Sequence, residues 1–103
     1  MIEELTTAAF MPKVLAADGK ALVEFYATWC PHCSKMEPVL EKLAEEPGDG
    51  VAIYRLDVDK FPDLANTYAP DGFPTFVVFE NGEPVKTVIG EQTLEYLEGM
   101  LDF

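Results

Sequence analysis

Apolar residues along this chain come in short runs whose spacing switches between that of helices and that of strands. Positions 6–17 carry Phe10, Met11, Val14 and Leu15, the spacing of a short amphipathic helix, with Pro12 set to start or kink its regular part. Positions 21–27 are apolar except for Glu24, a run of strand length that suits a strand covered on both faces. Met36, Val39, Leu40, Leu43 and Ala44 share one helical face, and Pro47, Gly48 and Gly50 are expected to end that helix. Positions 51–58 read as another strand, and 62–68 as a short helix with Pro62 near its first turn. Runs at 75–79 and 84–89 flank Asn81-Gly82, a dipeptide that between β-rich segments predicts a hairpin. Leu94, Leu97 and Leu101 mark a final helix. The order helix, strand, helix, strand, helix, hairpin, helix implies parallel crossovers first and an antiparallel pair last. That is a mixed α/β sheet.

Composition narrows the class. The chain has 103 residues, with no repeat or linker-like stretch, so a single domain over 1–103 is expected. At 49% apolar it can build a core and does not read as disordered. A net charge of −12 with only seven Lys and Arg argues against nucleic acid, whose phosphates need basic side chains. The acidity reads otherwise as a solvated surface that tolerates basic partners. No apolar run approaches the ~20 residues of a membrane span. Positions 1–10 hold two acids and no basic residue, unlike a secretory signal, so the cytoplasm is expected. A periplasmic or extracellular location is the alternative if a leader has been removed.

The two cysteines, Cys30 and Cys33, are too few for a disulfide scaffold, and their spacing points to chemistry. A strand ends at Ala27, Thr28-Trp29 turn the chain, and Cys30 stands at the mouth of the next helix. Pro31 fits the first helical position, where its missing N–H costs nothing. At the N-cap the Cys30 sulfur meets free N–H groups and the positive end of the helix dipole, a place that favours the nucleophilic thiolate. Residues three apart on a helix have Cα atoms about 5 Å apart. A disulfide spans roughly 4.4–6.8 Å, so the pair can join or separate with little backbone movement. Cys33, one turn deeper, is expected to be less exposed and to resolve. A structural zinc site needs four ligands and a catalytic one at least three, against two Cys and a single His here, and His32 lies between the cysteines. A structural disulfide closing so small a loop would stabilise little. A redox pair needing no metal or organic cofactor is the reading that stands.

The segment Val23-Glu24-Phe25-Tyr26-Ala27-Thr28-Trp29-Cys30-Pro31-His32-Cys33 resembles the active-site segment of the thioredoxin superfamily. Asp71-Gly72-Phe73-Pro74-Thr75 resembles the loop before that family's central antiparallel strand, and the likeness extends to Asn81-Gly82 and Gly90. The resemblance implies the thioredoxin fold, a central mixed sheet of four to five strands with helices on both faces. By the same match, Pro74 is a cis-proline facing the cysteines; an ordinary trans proline opening a strand is the alternative. Phe73 and Trp29 would line the substrate groove, although Trp29 also fits a plain rim aromatic. Gly90 would admit a partner chain or simply make a turn. Pro38 matches a helix-kinking proline. Glu24 matches a buried acid that exchanges protons with the resolving thiol, unless strand alternation points it at water. Arg55 matches a family lysine near that acid, and a buried Glu24 would have its pKa raised by desolvation and partly restored by Arg55.

Between the cysteines the chain departs from thioredoxins, which usually have Gly-Pro there. Cys-Pro-His-Cys resembles periplasmic oxidases, whose inserted helical domain does not fit in this chain. Potentials in the superfamily run from about −270 to about −120 mV, and a more stable nucleophile thiolate moves a pair toward the oxidising end. Pro31 and a protonated His32 beside the helix mouth would push that way, unless His32 is inert. The expectation is a protein-disulfide oxidoreductase, monomeric, recharged by a thioredoxin-reductase-type donor that uses NADPH on its own side. An extracytoplasmic oxidase or isomerase, or a non-enzymatic binding module using the Phe73–Pro74 groove, are the alternatives.

Overall fold

A computed structural model describes residues 2–45 and 51–102. Its elements are β1 (Glu3–Glu4), α1 (Thr7–Phe10), a π-helical turn (Met11–Leu15), β2 (Lys20–Tyr26), α2 (Pro31–Glu45), β3 (Val51–Asp57), α3 (Pro62–Tyr68), β4 (Thr75–Glu80), β5 (Glu83–Ile89) and α4 (Leu94–Met100). The five strands lie in the order β1-β3-β2-β4-β5. β1 and β2 both run parallel to β3, whereas β4 is antiparallel to β2 and to β5. This is the mixed α/β sheet of the thioredoxin fold.

The helix expected over 6–17 is broken. Thr6 caps α1 by accepting the Ala9 N–H, but regular winding stops at Phe10. Pro12 has no N–H to donate, and the chain widens into a π turn closed by Ala16 N–H to the Met11 carbonyl at 2.8 Å. β1 is an addition, a two-residue edge strand paired with β3. The predicted stop of α2 at Pro47, Gly48 and Gly50 lies outside the described residues. Pro38 sits inside α2.

Both faces of β2 are covered, as its unbroken apolar run requires. Val23 and Phe25 enter one core layer with Phe10, Val14, Leu56 and Phe79. Leu22 enters the other, with Met36, Leu40, Phe76, Val78 and Leu97. Phe10, Phe25, Phe76 and Phe79 are fully buried, each contributing roughly 1.5–3 kcal/mol by removal from water. At the far end of the sheet, Asn81 and Gly82 take positive φ values of 50° and 86° and close the two-residue hairpin. A Cβ on Gly82 would fall 2.1 Å from the Leu15 carbonyl oxygen, so this turn presses against the end of the π turn. β5 is the opposite sheet margin from β1 and includes Pro84.

Candidate redox site

β2 delivers the chain to the site. Val58 N–H bonds the Tyr26 carbonyl, holding β2 to the end of β3, and Cys30 N–H closes the following turn on the Ala27 carbonyl at 3.2 Å. Pro31 then opens α2, and the Cys30 carbonyl accepts the N–H groups of Cys33 and Ser34. The Cys33 N–H also points at Cys30 Sγ, 3.4 Å away. Free backbone donors at a helix mouth are what a sulfur anion needs. Both cysteines are free thiols, Cys30 5% exposed and Cys33 1%. Cys30 is therefore reached at its edge.

Across from Cys30 lies the loop before β4. The Phe73–Pro74 peptide is cis, and the Phe73 carbonyl accepts from Cys30 Sγ at 3.8 Å. Gly90 N–H bonds the Pro74 carbonyl at 2.8 Å, joining this loop to the end of β5. Gly90 itself has φ 96°, and nothing lies within 4 Å of where its Cβ would be. That leaves both of its expected roles in place, a left-handed turn and an open approach for a chain. Trp29 is 66% exposed, its ring meeting that of Phe73 edge-on at 6.3 Å. Its Nε1–H donates to Asp59 at 2.9 Å. Asp59, just past β3, gave no signal in sequence, being one acid among 19.

Behind Cys33 the site is buried and charged. Glu24 faces α2 and is fully buried, because alternation along a strand covered on both faces offers it no water. Arg55, its register partner on β3, donates Nε–H to Glu24 Oε1 at 3.0 Å, while Oε2 has no hydrogen-bond partner. Arg55 is itself held by Glu37 at 3.2 Å, by Glu4 at 3.6 Å, and by the Tyr26 ring 3.8 Å from its guanidinium carbon. Desolvation raises the Glu24 pKa to about 7, against the opposing pull of Arg55. Burial, then the hydrogen bond with Cys30, push the Cys33 thiol up to about 12, and the Glu24 charge adds to this. A cleft of about 180 Å³, lined in part by Cys33, Ser34, Glu37 and Arg55, opens onto this region and is large enough for water.

His32 has a partner that the sequence did not announce. It is mostly exposed, and its Nδ1 lies 2.5 Å from Glu91 Oε2. The hydrogen bonds of Cys30 Sγ go to Cys33 and Phe73, and that of His32 joins it to the loop after β5. Among the described residues, no group of three or more His, Cys, Asp or Glu is placed to hold a metal ion. No helix among them is long and apolar enough to cross a membrane.

Comparison with known proteins agrees with this geometry. The thioredoxin family model matches residues 1–102. A thioredoxin of Alicyclobacillus acidocaldarius is 40% identical over 94% of this chain and 91% of its own length. One of Listeria monocytogenes is 34% identical over 99% of this chain and 97% of its own. A bifunctional thioredoxin reductase/thioredoxin of Mycobacterium leprae is 39% identical over 84% of this chain, which spans 19% of that longer protein. A family match over residues 1–102, in a chain whose two thiols lie close together at the mouth of a helix, leaves one assignment: this chain belongs to the thioredoxin family and is a thiol–disulfide oxidoreductase.

Proposed function

We propose that the chain, as a single monomeric domain over 1–103, reduces protein disulfides through Cys30 and Cys33. Cys30 thiolate attacks one sulfur of a substrate disulfide, forming a mixed disulfide and releasing the first substrate thiolate. Cys33 gives its proton to Glu24, directly or through water in the adjoining cleft, and attacks Cys30 Sγ. The second substrate thiolate leaves, and the Cys30–Cys33 disulfide carries the two electrons' worth of oxidation. With a pKa near 7, Glu24 can take a proton at neutral pH and release it again. Its free Oε2 gives that proton a place to sit. Arg55 is the electrostatic brace that holds the carboxyl in position.

The substrate segment lies along Phe73 and Pro74, with Trp29 and Gly90 forming the rim. Pro31 and His32 adjust the redox balance of the pair. A thioredoxin-reductase-type enzyme recharges the disulfide using NADPH on the reductase's side, a partnership supported by the relative in which both activities are named in one protein. The reading goes with the cytoplasm, where thiols are kept reduced. An oxidase or isomerase role draws on Cys-Pro-His-Cys alone, and the relatives favour the reductant.

The observation that carries this reading is the Cys30 sulfur at the mouth of α2, held by the Cys33 N–H and opposite the Phe73 carbonyl. Insulin reduction in the presence of dithiothreitol tests it. The native chain is expected to accelerate precipitation of the insulin B chain, and Cys30→Ser to leave the uncatalysed rate. Equal rates with and without Cys30 would reject catalysis in favour of a binding module.

A further inference from the structure

The first turn of α2 is tied to the loop after β5 by contacts that disulfide exchange does not by itself require. Glu91 Oε2 lies 2.5 Å from His32 Nδ1 and 4.0 Å from Lys35 Nζ, one turn further along the helix. Gln92 N–H, next in the chain, meets Met36 Sδ at 3.4 Å. The residue before Glu91 is Gly90, whose N–H is fixed to the Pro74 carbonyl. The carboxylate is therefore carried on backbone anchored to the same loop that faces Cys30. The His32 hydrogen bond and the Lys35 charge hold the Glu91 carboxyl below its ordinary pKa, so it stands there as an anion.

An imidazole between the two cysteines could direct positive charge at Cys30 Sγ and stabilise the dithiol form, which makes a pair more oxidising. Here Nδ1 of that imidazole meets a carboxylate. We propose that Glu91 is a positioning residue for disulfide exchange: by holding His32 through Nδ1 it turns the imidazole to a carboxylate, offsets the charge the ring carries when protonated and shifts the pair a step toward the reducing side despite its Cys-Pro-His-Cys sequence. The proposal rests on the reductase reading above. It also assigns Lys35, 4.0 Å from the same carboxylate oxygen, a secondary part.

The test is the equilibrium of the pair with glutathione, in which the dithiol and one oxidised glutathione give the intramolecular disulfide and two reduced glutathiones. Acid quenching, alkylation and mass measurement count the two forms. Glu91→Gln is expected to shift the constant about threefold toward the dithiol, the scale of one exposed charge pair, which is about 14 mV more oxidising. In a His32→Gln background the same change is expected to shift it by less than about 1.5-fold, because its effect passes through the imidazole. A shift of the same size in both backgrounds, or none with His32 present, overturns the proposal. Thermal melting alone would move if Glu91 merely fastened the loop; the His32-dependent constant would not. Failure of the native chain to reduce insulin would instead count against the reductase reading, and leaves the glutathione measurement free to judge Glu91.

Discussion

The two sides of the cysteine pair are built on opposite principles. Ahead of Cys30 the groups are exposed and joined by single contacts: Trp29 to Asp59, His32 to Glu91, one ring edge against Phe73. Behind Cys33 one carboxyl is fully buried and a guanidinium is surrounded by three carboxylates and a ring. Charge buried in this way is strongly coupled to its neighbours, whereas exposed charge is screened by water. The front can therefore vary with substrate and tune the balance by small steps. In the proposed mechanism the back sets whether the exchange completes.

The sharpest way to break this contrast is to remove the resolving sulfur. Cys33→Ser is expected to stop turnover and leave substrates covalently held at Cys30, visible as mixed disulfides on non-reducing gels and by mass spectrometry. Trapping by Cys30→Ser instead would reverse the two roles.

Next in size is Glu24→Gln, which imitates the protonated acid. Resolution of the mixed disulfide at pH 7 is expected to slow by about 10²-fold, the usual worth of a positioned proton acceptor. Stability should move the other way. The folded-state pKa of about 7 lies above the reference value of 4.5, so the native chain loses stability as pH rises from about 4.5 through 7. Gln does not titrate. The variant's advantage in urea unfolding should grow from near zero at pH 4 to about 3 kcal/mol at pH 8. A constant advantage at every pH would mean that Glu24 does not titrate in this window.

The smallest effect belongs to the front. Replacing Pro31-His32 with Gly-Pro is expected to lower the potential by no more than a few tens of mV, a fraction of the ~150 mV that separates thioredoxins from the oxidases. A shift approaching that whole gap would show that His32 acts on Cys30 more strongly than its contact with Glu91 allows.

Much of this was legible from the residues. The unbroken run around Glu24 announced a strand covered on both faces, and that coverage is what buries the acid. Pro31 after Cys30 announced a helix mouth at the sulfur. The Asn81-Gly82 turn was plain because its backbone conformation restricts which residues can occupy it. What stayed hidden lacked periodicity or local chemistry. β1 is two glutamates with no apolar pattern to announce a strand beside β3. The π turn depends on how Pro12 interrupts the ladder, and sequence showed only the interruption. Asp59, Glu91, Glu37 and Glu4 are four of many acids, and only the fold selects which of them meets Trp29, His32 or Arg55.

The sheet's two margins carry a last consequence. One is closed by a strand of two residues; the other, β5, includes Pro84, which has no N–H to offer, and is studded with the charges of Glu83 and Lys86. Neither margin makes a good template for a stranger's backbone. A catalyst that bonds to its substrates by sulfur can thus let them go, because neither β1 nor β5 invites them to zip on as an extra ribbon.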